Sequence, residues 1–235
     1  MNYLTYQTEL KQYDDEKESV SNDSFTFRNN KISVNLILPF RANRESVENF
    51  VYQGFQNHYQ ARIQHFLPNL VSISKDNRLK SVMGFRSGRT QPLFIEQYLK
   101  HSIESYFKKE AIERHQIGEF GNLIGTHRAL TLQLFIVTFL ALFQSGFKKL
   151  VFCATPQVKK MFDQFSVATQ HIGTANPKKI GSQIKHWGNY YETNPELLAI
   201  DVEQVLSIIE NSNRLSLIAS KCSKQIDALV ENLIQ

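Results

Sequence analysis

Cysteine is nearly absent from this chain: Cys153 and Cys222 are the only two in 235 residues, too few for a disulfide framework, and neither has a metal-ligand spacing with a histidine. Both read as small core residues. No low-complexity linker and no internal repeat interrupts the sequence, so the reading is one globular domain with extensions at either end. The first residues, MNYLTYQTELKQYDDEKE, lack the basic start and apolar run of a secretory signal, which makes a cytoplasmic protein the expectation. Apolar runs of membrane length are missing as well. Leu130 to Phe143 spans fourteen residues, interrupted by Thr131, Gln133 and Thr138, against roughly twenty needed to cross a bilayer. No catalytic triad and no metal cluster stands out.

Charge is present but unevenly placed. The first 23 residues carry six acidic side chains against Lys11 and Lys17, so they sum to −4, and the overall +5 leaves +9 on the remainder. Such a remainder attracts acidic partners. Its lysines come in pairs, Lys108/Lys109, Lys148/Lys149, Lys159/Lys160 and Lys178/Lys179, without the arginine and aromatic interleaving of a nucleic-acid groove. Nucleic acid is therefore not the expected partner.

The stretch His115–Gln144, HQIGEFGNLIGTHRALTLQLFIVTFLALFQ, organises the rest. Its first half reads as a buried strand ending in a polar turn, and its second half, from about His127, as a helix apolar almost all the way round. Such a helix is covered by a sheet on one side and by helices on the other. The strand delivers Glu119, Gly121, Asn122 and Gly125 to the start of the helix, where unpaired backbone N–H groups favour an anionic ligand. Glycine pairs also serve plain strand-to-helix reversals, so both readings stand.

Upstream, residues 1–30 read as a loose acidic arm and Lys31–Pro39 as a strand, by its alternation of Ile32, Val34, Leu36 and Leu38. Arg44–Gln64 reads as a helix stopped by Pro68. Leu70–Lys75 and Leu79–Arg89 form a hairpin turned at Asp76-Asn77. Gly84 and Gly88 mark either a bulge or close approach of a ligand. Pro92–Phe107 reads as a helix with proline in its first turn.

Downstream, Gly146 caps the long helix and Lys149–Thr155 is a short buried strand, parallel to the first because a helix joins them. A helix opens at Pro156. Ser166–Pro195 is irregular, and its aromatics Trp187, Tyr190 and Tyr191 either line a pocket or plug the core. Arg214–Gln235 is one amphipathic helix covering either its own domain or a second copy of the chain, which would make a homodimer.

Several of these segments in order, LPNL (Leu67–Leu70), GFR (Gly84–Arg86), LFIEQYL (Leu93–Leu99), IGEFGNL (Ile117–Leu123), VFCAT (Val151–Thr155) and WGNYY (Trp187–Tyr191), resemble the bacterial thermostable hemolysin family. That family's core looks like the GNAT-type acyltransferase fold and is similar to the acyl-homoserine-lactone autoinducer synthases. The resemblance implies an α/β (α+β) fold, with a mixed, partly antiparallel central sheet flanked by helices. The boundaries expected are an arm over 1–30, the GNAT-like domain over 31–205 and a C-terminal helical extension over 206–235.

It also implies two functions of different kinds. One is N-acyl transfer from an acyl thioester, acyl-CoA or the phosphopantetheine of an acyl carrier protein, to a small amine. The other is the membrane damage that the family name denotes. The missing secretion signal and membrane-length segment favour the first. In that reading Glu119 is the base or amine anchor, and Asn122 with backbone N–H groups holds the oxyanion. Arg86 binds an acceptor carboxylate, Glu96 and Tyr98 close the acceptor side, and Trp187, Tyr190 and Tyr191 wall the acyl pocket. Gly121, Leu123, Gly125, Arg128 and Thr155 face the donor. Asn122-x-x-Gly125-x-His127 departs from the usual GNAT loop, which puts an acidic carrier protein level with coenzyme A as donor. No tightly bound cofactor and no metal is implied. Glu119 and Arg86 as an ion pair, Glu96 as a cap or surface pair, and the aromatics as core are the structural alternatives.

Overall fold

Asp76 and Asn77 both adopt positive φ, 53° and 62°, so two residues suffice to reverse the chain between β2 (Asn69–Lys75) and β3 (Arg78–Ser87). In this computed structural model, which describes residues 31–89 and 92–233, the chain from Ile32 onward forms one compact unit. The acidic arm expected over residues 1–30 lies outside the described residues.

Seven strands make one sheet in the order β1-β2-β3-β4-β5-β7-β6. β1 (Ile32–Ile37), β2, β3 and β4 (Ile117–Gly125) are successive antiparallel neighbours. β4 then pairs in parallel with β5 (Lys149–Ala154) through the crossover helix, as strand, helix and strand in series require. Two strands absent from the sequence reading complete the sheet: β6 (Thr169–Thr174) at the edge, and β7 (Glu196–Asp201) inserted antiparallel between β5 and β6.

Alternation assigns the strands' side chains to two layers. On one side, Phe85, Phe120, Leu150, Phe152, Leu198 and Ile200 meet the long helix α2 (Arg128–Gln144). On the other, Ile117, Val151, Leu197 and Ala199 meet short helical turns, while Leu70, Val82 and Ile124 meet α1 (Arg44–Tyr59). Helix α2 is buried along nearly its whole length, as its all-round apolarity predicts. Gly146, at φ 85°, ends it in a left-handed turn, with the Phe147 N–H returning to the Leu142 carbonyl at 3.1 Å.

Three helical expectations change. α1 ends at Tyr59 because Gln60 turns left-handed at φ 54°, well before Pro68. The helix expected over Pro92–Phe107 is instead two 3-10 segments, Phe94–Tyr98 and Ile103–Glu110. Carboxylates mark both segment starts. Glu119 accepts the N–H groups of Phe94 and Ile95 and Glu96 that of Leu93, all first-turn donors, while Glu96 also accepts the N–H of Ile103, which a continuous helix would spend on the Leu99 carbonyl. The tail is three helices after α3 (Pro156–Gln164): α4 (Val202–Glu210), α5 (Asn213–Lys221) and α6 (Ser223–Leu233). α6 buries Ile226 and Leu229 in the layer that holds α2, so the amphipathic tail covers its own domain. α4 runs through positions 205 and 206.

Candidate active site

Pairing between β4 and β5 is brief. Ile117, Gly118 and Glu119 face Lys149, Leu150 and Val151, and beyond that the strands part. A bulge in β4 follows at once. Val82 faces Ile124 and Gly84 faces Gly121, so β4 spends three steps where β3 spends two, and the extra residue falls at Asn122–Leu123. Asn122 takes φ 49°, in the left-handed region that asparagine tolerates better than most residues. The bulge suspected from Gly84 thus exists, with its extra residue on the facing strand. A Cβ on Gly84 would come within 2.9 Å of Leu67 Cβ and 3.0 Å of Asn122 Oδ1, so the glycine makes room for the bulge.

Asn122 Oδ1 accepts the Leu67 N–H at 2.8 Å, leaving the Nδ2 hydrogens as the donors of that amide. Arg44 holds the same segment from outside, donating to the carbonyls of Leu67, Pro68 and Ile37. Across the gap, the chain at 186–190 docks on the end of α1. Arg62 N–H donates to the His186 carbonyl at 2.7 Å and Asn189 N–H to the Tyr59 carbonyl at 2.9 Å. Gly188 sits between them at φ 49°, where a Cβ would lie 2.1 Å from the Tyr59 carbonyl oxygen; this is why WGNYY carries a glycine.

These segments enclose a cavity of about 340 Å³ beside the parted strands. Of the residues singled out from sequence, Arg86, Glu119, Gly121, Asn122, Leu123, Thr155, Trp187 and Tyr190 line it. Five lie elsewhere. Glu96 pairs with Arg114 at 2.6 Å in a neighbouring depression, and Arg114 also holds Glu104. Burial opposes ionisation of Glu96, but Arg114 and two backbone N–H groups more than offset it, so its carboxyl is held below the usual range. Tyr98 and Tyr191 join hydroxyls at 2.5 Å behind Trp187. Gly125 packs against Thr131, and Arg128 is exposed beyond the end of the strand.

Sequence reading missed Phe55 and Tyr59 on α1, His65, Cys153, Lys185 and His186, all of which line the cavity. Phe55 and Tyr59 fall within the helix expected over Arg44–Gln64, and only the tertiary fold shows that their face meets a cavity. Cys153 is not simply core. Burial pushes its thiol up to about 12, so it stays protonated.

Glu119 is the only carboxyl lining the cavity among the described residues. It is 4% exposed, and its two oxygens accept the Phe94 and Ile95 N–H groups at 2.7 and 2.8 Å. Desolvation raises its pKa, the two N–H bonds and the nearby Arg86 charge pull it back, and the balance is a carboxyl at about 7. Arg86 is its cross-strand neighbour. The guanidinium instead donates from Nη1 to the Pro92 carbonyl at 3.1 Å, and its Nε is buried without a partner among the described residues.

The family model for thermostable hemolysin matches residues 38–206. The chain belongs to the thermostable hemolysin family. Among curated proteins none matches its sequence. Several solved structures share its fold. The acyl-homoserine-lactone synthase LasI superposes with a TM-score of 0.51 at 11% identity, over 74% of this chain and 91% of LasI. FeeM, an N-acyl amino acid synthase from uncultured soil microbes, gives 0.51 at 11%, over 73% and 90%. TofI in an apo form gives 0.51 at 11%, over 78% and 99%. At such identities the likeness establishes the fold, so this member of the thermostable hemolysin family has the mixed sheet of the acyl-homoserine-lactone synthases. Among the described residues, no helix is long and apolar enough to cross a membrane.

Proposed function

We propose that this protein transfers an acyl group from a thioester donor to the amine of a small acceptor. The observation that carries the reading is the parting of β4 and β5 immediately after Glu119 and Val151, over a cavity that holds a carboxyl with a pKa of about 7. A parted strand edge offers backbone N–H groups to an extended pantetheine arm, and a carboxyl poised near neutrality accepts a proton from an attacking amine. LasI and FeeM, by their names, make acylated products on this fold.

In the reaction the amine nitrogen attacks the thioester carbonyl carbon and the C–N bond forms. Glu119, directly or through a water, takes the amine proton. The oxyanion is met by Asn122 Nδ2 and by N–H groups of the parted strand edge. Collapse breaks the C–S bond, and the thiolate leaves with the proton, giving an amide and a free thiol. Trp187, Tyr190 and Phe55 wall the acyl chain. The donor is acyl-CoA or an acyl carrier protein. Two of the paired lysines are already committed within the fold, Lys149 to Glu110 and Asp201 and Lys159 to Glu196, so a carrier protein would meet the exposed Lys108, Lys109, Lys148, Lys178 and Lys179.

The test is release of free thiol by purified protein from a panel of acyl-CoAs and acyl carrier proteins, with and without an amine mixture, and liposome leakage run on the same preparation. Amine-dependent thiol release without leakage is the expected result. Leakage without thioester consumption would return the protein to the lytic activity in the family's name.

A further inference from the structure

The cavity contains a cation whose hydrogen-bonding capacity is only partly used. Arg86 spends Nη1 on the Pro92 carbonyl, while Nε is buried and bonds nothing among the described residues. A buried donor without a partner is costly, and native structures leave few of them. The edge left over is the Nε/Nη2 side of the guanidinium, the side-on fork that grips a carboxylate with two parallel bonds. Arg86 does not spend that fork on Glu119, although the two are cross-strand neighbours facing the same cavity. Both Glu119 oxygens are already occupied by the Phe94 and Ile95 N–H groups, and each keeps a further acceptor site.

Resting on the acyl-transfer reading, we infer that the acceptor is a molecule with an α-amino acid head, its carboxylate held by the Nε/Nη2 edge of Arg86 and its amine presented to Glu119. The placement suits this head: Arg86 and Glu119 face each other across β3 and β4, both line the cavity, and the Arg86 charge acts on the Glu119 carboxyl. An α-amino acid carries its amine and carboxylate on a single carbon, so one head bridges a cation and an anion set side by side. A simple alkylamine would leave the Arg86 fork empty inside the cavity. A lactone or an ester would offer it a neutral carbonyl in place of a carboxylate.

The experiment compares matched acceptors with whichever thioester the full-length protein consumes: leucine with isoamylamine and with leucine methyl ester, and the corresponding sets for phenylalanine and methionine. Every acceptor that is turned over should be used roughly 100-fold or more better as the free acid, since a site built for a polar group rejects analogues that lack it. Arg86→Met should collapse that ratio to within about 10-fold, and Arg86→Lys, which keeps the charge without the fork, should leave it intermediate. Equal or better use of the amine or ester by the unaltered protein overturns the assignment of the acceptor while leaving acyl transfer intact. Thioester that no acceptor consumes overturns both.

Discussion

Two groups of aromatic rings flank the same sheet, and they differ in two respects that matter. On the α2 side Phe120, Phe135, Phe139, Phe152 and Phe162 pack with centroids as close as 4.2 Å, and none of the rings carries a polar atom. On the α1 side Phe55, Tyr59, Trp187 and Tyr190 pack at similar distances, 5.1 to 6.4 Å, but all four line the cavity, which Phe120 alone reaches from the first group, and all but Phe55 carry a hydroxyl or an indole N–H. Ring packing alone therefore does not separate core from site. What separates them is whether the rings have polar tips and whether irregular backbone, here 186–190 and the Asn122 bulge, keeps them from closing on one another.

The largest expected effect breaks the first group. Phe152 is 1% exposed and stacks on Phe120, so Phe152→Ala should cost about 3–5 kcal/mol of stability, read from urea unfolding at unchanged slope. A cost under about 1 kcal/mol would mean that the phenylalanine layer is not the stability core. Next comes a pH effect. Glu119 ionises at about 7 when folded and at its ordinary 4.5 when unfolded. The folded chain binds the extra proton between those values. Stability from this group is therefore full below about 4.5 and lost as pH rises through about 7, on the order of 3 kcal/mol in all. Unfolding of the parent and of Glu119→Gln, compared from pH 4.5 to 8, should show a falling difference. A constant difference would place the carboxyl in contact with water.

Kinetics sharpen the same point. Glu119→Gln should lower kcat/KM by roughly 100-fold, and the parent's rise through pH 7 should vanish in the variant. The glutamine also replaces one of two acceptors facing the Phe94 and Ile95 N–H groups, so its melting temperature must be measured alongside. A rate loss that tracks unfolding, with the pH profile unchanged, would make Glu119 a tether for the 3-10 turn and nothing more.

Sequence made the first group legible and left half of the second unread. α2 announced itself through a continuous apolar run, and the parallel partnership of β4 and β5 followed from topology. β7 had a signal, the run Leu197–Ile200 after Pro195, hidden at the end of an irregular segment. β6 had almost none, because an edge strand with exposed Gln170 and His171 shows no apolar alternation. The bulge was suspected from glycine, yet its extra residue is set by strand register, which no single strand encodes. Glu96 misled because its motif says carboxylate without saying which partner it meets; Arg114, eighteen residues on, claims it.

The smallest expected effect tests whether the polar tips matter at all. Tyr190 is buried, and its hydroxyl reaches the Cys153 carbonyl only at 3.5 Å, the weak end of hydrogen-bond geometry. Tyr190→Phe should thus cost no more than about 0.5–1 kcal/mol while leaving the ring contacts with Phe55, Tyr59 and Trp187 in place. If the loss instead approaches that of Phe152→Ala, the hydroxyl is a structural strut and the cavity rings are core by another name. If it stays small and the preferred length of the acyl chain shifts, the tip is reading the ligand, and the two aromatic groups are as different in function as they are alike in packing.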